Sequence, residues 1–289
     1  MKTHNIPKKN KDFFEGWFFK HQNNEQGIAF IPGINITKEG EKKVFIQIIT
    51  NTESFNVDYD ANDFSVDKKD LFVKIGNSIF SDSGIKIDIN TPEVICTGEL
   101  NYGPITPINY NIMGPFSVFR NMECNHGVIS MHHSVNGTLT LNGTVFSFEN
   151  ANGYIEKDWG YSFPETYTWL QCNDDCSIMV SIATIPFFGL FFQGLISVIR
   201  YKNKEYRIAT YNGGKVIYNN EKGLMIKKGT YTLKAEFSDT VSHPLKAPDS
   251  GNMSRIIRES ISCKVNFEFA RGKTLLFTAE NRIAGYERA

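Results

Sequence analysis

Strict alternation of apolar and polar residues constrains this chain more than any other feature. It is clean in Leu71-Phe-Val-Lys-Ile75 and Ile85-Lys-Ile-Asp-Ile89. A period of two puts every second side chain on one face, which only a half-buried β-strand can use. Further strand-like runs span 44–49, 138–141, 144–149, 177–183, 195–199, 229–237, 262–269 and 274–278. No long stretch shows a helical period, and short helices are expected only near 61–64 and 253–259. Asn-Gly pairs at 136–137, 142–143 and 152–153 supply residues that tolerate positive φ, so a tight meander is expected over 128–158. Asn212-Gly-Gly214 and Glu221-Lys-Gly223 read as further turns. About a dozen evenly spaced strands mean an all-β sandwich or barrel.

At 289 residues the chain exceeds one ordinary domain of about 100–150 residues, so two barrels fit better than one. No Pro-, Gly- or Ser-rich linker separates them. The expected seam is Asn150-Ala-Asn-Gly153, dividing the chain into 1–152 and 153–289. A faint internal echo accompanies this, because Glu15–Lys20 and Tyr167–Gln171 each place a Trp in an aromatic strand.

With 31 basic and 31 acidic residues the net charge is zero, and no basic surface for nucleic acid is expected. Lys2, Lys8, Lys9 and Lys11 precede an acidic, aromatic segment and not an apolar export signal. Together with an odd number of cysteines, five, this points to free thiols in a cytoplasm. Cys172 and Cys176 lack the partners a structural zinc needs. The abundance of Asn, Lys and Ile points to an AT-rich bacterial genome. The most apolar stretch, 185–199, is too short and too interrupted by Pro186, Gly189, Gln193 and Gly194 for a spanning helix. It reads as two buried strands around a turn, with transient membrane-surface contact as the alternative. Aromatic residues make up 13% of the chain, enough to line a barrel-like cavity for an apolar ligand or simply to fill strands.

Three segments stand out for charge, His or Gly on strand-like runs, and all three Trp lie in or beside them. In Phe13-Phe-Glu-Gly-Trp-Phe-Phe-Lys20, a strand would put Glu15, Trp17 and Phe19 on one face. Glu15 is then either a buried acid or half of an ion pair closing a barrel end. His126-Gly-Val-Ile-Ser-Met-His-His133 holds three of the six His, with His133 facing opposite to His126 on a regular strand. No metal-ligand spacing accompanies them, so no metal is expected. In Gly153-Tyr-Ile-Glu-Lys-Asp-Trp-Gly160, Tyr154, Glu156 and Asp158 share a face and Lys157 and Trp159 oppose it. Two acids at i and i+2 beside aromatics suit acid–base chemistry or a salt-bridged seam.

These three segments, His126 to Gly137 and the longer Gly153 to Gln171 included, resemble the tocopherol cyclase family. Ala247-Pro-Asp-Ser-Gly251 resembles a later pattern of the same family. The resemblance implies two tandem lipocalin-like β-barrels side by side, in a fold shared with carotenoid hydratases. It matches Glu15, His126, His133, Glu156 and Asp158 to family positions, and not His132. It further implies an isomerase that closes a chromanol ring: a carboxylic acid protonates an alkene and a phenol attacks the resulting cation. Asp158 is the first choice for the acid, then Glu156, then Glu15, with His126 or His133 taking the phenol proton. Trp17, Phe19, Tyr154, Trp159 and Trp169 are the expected ligand-binding rings. No metal or organic cofactor is required. A non-catalytic binder of a lipid or quinone, and an isoprenoid hydratase, remain open beside this reading.

Overall fold

The structure is a computed structural model. It describes residues 7, 11–67, 69–119, 122–187, 189–238 and 240–289, without the side chain of Phe187. Lys2, Lys8 and Lys9 lie outside the described residues.

The strands form two antiparallel sheets. The first comprises β1 (Phe13–Gln22), β2 (Gly27–Ile36), β3 (Lys42–Thr50), β4 (Ser54–Tyr59), β5 (Phe64–Val66), β6 (Phe72–Ile75), β7 (Ser78–Ser81), β8 (Gly84–Asn90), β9 (Ile95–Tyr102), β10 (Cys124–Leu141) and β11 (Thr144–Gly160). The second comprises β12 (Tyr167–Asn173), β13 (Ser177–Phe187), β14 (Leu190–Tyr201), β15 (Lys204–Arg207), β16 (Lys215–Asn220), β17 (Gly223–Lys228), β18 (Tyr231–Ser238), β19 (His243–Asp249), β20 (Asn252–Arg271) and β21 (Thr274–Arg288). The all-β, tandem architecture is the one expected.

Both sheets are wound the same way. In the first the order is β4-β3-β2-β1-β11-β10-β9-β8-β7-β6-β5, and in the second β15-β14-β13-β12-β21-β20-β18-β17-β16, with β19 on β20. In each, the first strand pairs with the last. Trp17 lies on β1 and Trp169 on β12, so the faint echo in the sequence marks equivalent strands.

Each sheet curls over its own core. In the first, Val57 near one edge and Val73 and Ile75 near the other pack into one cluster with Phe19, Ile46 and Ile155. In the second, Leu170, Val180, Leu224, Phe267 and Phe269 do the same. The inner spaces are therefore filled by side chains, as close packing requires.

Several expectations change in the structure. Only Asn142-Gly143 makes a hairpin turn, with φ of 47° and 84°. Asn136-Gly137 lies inside β10, where Gly137 (φ 133°) serves a bulge, and Asn152-Gly153 lies inside β11. The 128–158 segment is thus one long hairpin and not a meander. Residues 253–259 belong to β20, while Ala61–Asp63 form a 3-10 turn capped by Asp60. Positions 152 and 153 fall within β11, and the change of sheet comes after Gly160. The 185–199 hairpin is only partly buried: Leu190 and Phe191 beside its turn are exposed. Among the described residues no helix is long and apolar enough to cross a membrane.

The outer faces of the two sheets meet in a third cluster. Phe18, Ala29, Ile49, Met131 and Tyr154 come from the first, and Trp169, Met179, Val198, Leu245 and Ile257 from the second. Polar side chains clasp this seam by holding main-chain atoms of the opposite sheet. Gln22 Nε2 donates to Asn173 O (2.9 Å) and Asn35 Nδ2 to Gly251 O (2.8 Å). Gln47 bonds Lys246 twice, Nε2 to its O (2.9 Å) and Oε1 from its N (2.7 Å). Each amide nitrogen is paired, which offsets much of the cost of burying it, while Asn35 Oδ1 is buried without a hydrogen bond.

Candidate functional site

The seam is not closed along its whole length. It leaves a cleft between the sheets and not within either barrel. Its walls are mostly apolar and include Phe14, Phe18, Ile31, Met113, Phe116, Ile185, Phe192 and Ile257. Such a cleft with a few convergent polar groups is the usual form of a small-molecule site.

The first wall owes its chemistry to the alternation of β11. From Ala151 onward its odd-numbered side chains turn to the first core and its even-numbered ones to the seam, so Glu156 and Asp158 border the cleft, with Tyr154 packed beside them in the seam. His126 on β10 lies directly across from Asp158. Its Nδ1 is 2.8 Å from Asp158 Oδ1, and its Nε2 is 3.3 Å from Glu156 Oε2. The second contact is close as an ion pair but is not aligned as a hydrogen bond. Burial opposes a charge on His126, but the two carboxylates outweigh it and raise its pKa well above the usual value. Glu156 Oε2 also accepts from Tyr154 (2.5 Å) and from Trp169 Nε1 of the other sheet (3.2 Å).

The second wall carries two residues that sequence reasoning missed, Glu259 and Glu287. Trp169 pairs with Glu287 across β12 and β21, and Glu287 with Glu259 across β21 and β20, so the three stand in one row. Both carboxyls border the cleft, and the Tyr167 hydroxyl donates to Glu287. Burial, assisted by Glu156, pushes Glu259 up to about 8. Burial, then Asp158 and Glu156, hold Glu287 well above the carboxylate range. Behind this row Lys20 donates to Gln171 Oε1 (3.1 Å) and Ile283 O (2.5 Å). Burial lowers its ammonium to about 7. A signal for Glu259 existed: the odd-numbered alternation of Phe269, Phe267, Val265, Cys263 and Ile261 runs straight into it. Reading 253–259 as helix broke that line.

Other expected site residues lie elsewhere. Glu15, Trp17 and Phe19 share a face of β1, as anticipated, but it is the face toward the first core. Glu15 Oε1 is 2.6 Å from Lys157 Nζ, and that ammonium lies 5.1 and 5.2 Å from the ring centroids of Trp17 and Trp159. These two Trp rings thus already face a cation of the protein itself. Trp17 borders the cleft but is fully buried, while Phe19 and Trp159 pack in or against the first core and do not line it.

His133 is also away from the cleft. Two bulges in β10 separate its register from that of His126. It bonds Ser130 Oγ through Nδ1 (3.0 Å) and lies 4.3 Å from the Tyr102 ring, whose hydroxyl meets His21 Nε2 at 2.5 Å. His132 instead bonds Asn152 Oδ1 (2.9 Å). Burial lowers His133 to about 3. Its folded pKa lies below the unfolded one, so its stabilising contribution is complete above 6.5 and is lost as pH falls toward 3. The stability advantage of wild type over His133→Gln, measured by urea unfolding, should therefore shrink by up to about 1.4 kcal/mol per pH unit below 6.5. A constant gap from pH 7 to 4.5 would show that His133 titrates normally in the fold.

His126, Glu156 and Asp158 bring one ligand atom each within 4.8 Å of one another, a grouping able to hold a cation. Yet Glu156 Oε2 already accepts from Tyr154 and Trp169, donors suited to a carboxylate anchored by protein. This donor set fits an imidazolium held between two acids better than it fits a metal.

Comparison with known proteins agrees with the motifs. Residues 96–185 match the family model described as tocopherol cyclase-like, which takes in the His126 and Gly153 segments. Over 120 residues the chain is 28% identical to a probable chloroplastic tocopherol cyclase of Oryza sativa subsp. japonica, covering 39% of this chain and 26% of that protein. Over 37 residues it is 49% identical to a chloroplastic tocopherol cyclase of Zea mays, covering 13% of this chain and 8% of that one. The matches thus span about a quarter or less of those relatives. The crystal structure of kievitone hydratase from Nectria haematococca superposes with a TM-score of 0.53 at 12% identity, over 99% of this chain and 90% of that one. At that identity the likeness is one of fold.

Proposed function

We propose that the chain binds a prenylated quinol or related isoprenoid in the cleft and closes a chromanol-type ring by acid-catalysed addition of the phenol to the alkene. The observation that carries this reading is the Asp158–His126–Glu156 array opening into an apolar cleft. His126, held charged, donates to one oxygen of Asp158. That leaves the other oxygen to carry the proton that is transferred. Asp158 is the most open of the three, its side chain 24% exposed, so solvent can resupply the proton.

The reaction balances as an isomerisation. The alkene π pair takes the proton from Asp158 and forms a C–H bond, leaving a tertiary cation. The phenol oxygen bonds to that carbon, and its proton returns to a carboxylate of the site. The rings of Trp169 and Phe18 border the cleft and meet edge to face at 5.2 Å, and in this reading their π systems stabilise the cation. His126 is already protonated and so is a poor acceptor for the phenol proton, which revises the role first expected of it.

Incubation with a prenylated hydroquinone in D2O tests this. The expected product is a chromanol of unchanged formula carrying one deuterium beside the new ether carbon. Gain of the mass of water would make the chain a hydratase. Saturable binding without turnover would make it a carrier.

A further inference from the structure

Glu259 and Glu287 are not needed by the proton chemistry above, and the fold gives no reason for two acids to stand side by side under cover. They are 4% and 6% exposed. Their strand register places them directly opposite each other on one face, so their Cβ atoms lie about 5 Å apart. Both border the cleft, and Glu259 Oε1 is buried with no hydrogen-bond partner. A native fold rarely leaves such an atom unsatisfied, because the omission costs roughly 1–3 kcal/mol.

We propose that Glu259 and Glu287 form the subsite for the hydroxyl-bearing aromatic head of the ligand, a phenol or hydroquinone. Two acids buried this deeply in an apolar place do not both ionise, so at least one keeps its proton. Such a pair accepts through one group and donates through the other. A phenolic hydroxyl also donates and accepts, and it meets both needs. A carboxylate or phosphate head would bring a further negative charge into an apolar cleft already bordered by Glu156, Asp158, Glu259 and Glu287, whereas a phenol brings none. Tyr167 fixes Glu287 by its hydroxyl, and Trp169 beside it offers a ring against which the head can pack. The head then sits on the second sheet, while the prenyl chain crosses toward Asp158 on the first.

This subsite rests on the reading of the cleft as the ligand site and not on turnover. Its test is therefore binding, followed by quenching of Trp emission. The probes are a prenylated hydroquinone and its bis-O-methyl ether, which keeps the tail and loses the hydroxyl donors. Wild type should bind the free hydroquinone roughly 10- to 100-fold more tightly, the usual worth of a hydrogen bond to an ionisable group. Glu259→Gln and Glu287→Gln should bind the ether as wild type does and lose most of that preference. Equal affinity of wild type for the two probes would overturn the subsite, whether or not either variant folds. So would variants that keep the full preference. Preference without turnover would sustain the subsite while sinking the cyclase reading.

Discussion

Asp158→Asn should leave the protein folded and able to bind, and should lower kcat by about 10²–10⁴-fold, the usual contribution of a general acid. Asparagine keeps an oxygen for His126 Nδ1, now 2.8 Å from Asp158 Oδ1, but has no proton to give an alkene. Little change in ligand affinity is expected, since the apolar walls supply most of the binding surface. A purely structural Asp158 predicts the reverse: a lower melting temperature with activity per folded molecule intact. Measuring both on one preparation separates the two, and full turnover by folded Asp158→Asn would take Asp158 out of the mechanism.

Glu15→Gln should behave in the opposite way. It removes the carboxylate that lies 2.6 Å from the buried Lys157 ammonium. Breaking a buried pair from one side typically costs about 3–5 kcal/mol. For a chain of this size that is a fall of roughly 10 °C in melting temperature. Turnover per folded molecule should be unchanged, because Glu15 faces the first core and not the cleft. The double variant Glu15→Leu/Lys157→Met should recover most of the loss, since it leaves neither charge behind. If the double variant is as unstable as the single one, the ion pair is not what holds this end of the barrel.

The sequence made the strands legible wherever one face met water, because there the alternation is strict. It also made the first wall legible. Tyr154, Glu156 and Asp158 share parity on a regular strand, and β11 is regular where they stand. What it hid has physical causes. Asn-Gly reads as a turn because both residues tolerate positive φ, yet Gly153 is extended and is there for room. A Cβ at that position would overlap the His133 ring. Bulges in β10 are silent in a period-two reading, but the two between His126 and His133 cancel in parity, so His133 faces opposite to His126 as the regular strand implied. Glu15 was ambiguous because both faces of β1 are buried, one on the first core and one on the seam. The second wall was the least legible, since it forms only when β12 is brought beside the distant hairpin of β20 and β21.

The clasps across the seam bear on how such a protein can change its ligand. Gln22, Asn35 and Gln47 grip main-chain atoms of Asn173, Gly251 and Lys246. A main-chain atom is present whatever side chain the position carries. Registration of one sheet on the other is therefore largely indifferent to which residues line the space between them. Ile31, Met113, Ile185 and Phe192 can be exchanged for larger or smaller neighbours without moving the frame that sets Asp158 against Glu259. In the proposed reading the chemistry is carried by the alignment, and the shape of the molecule accepted is left to drift.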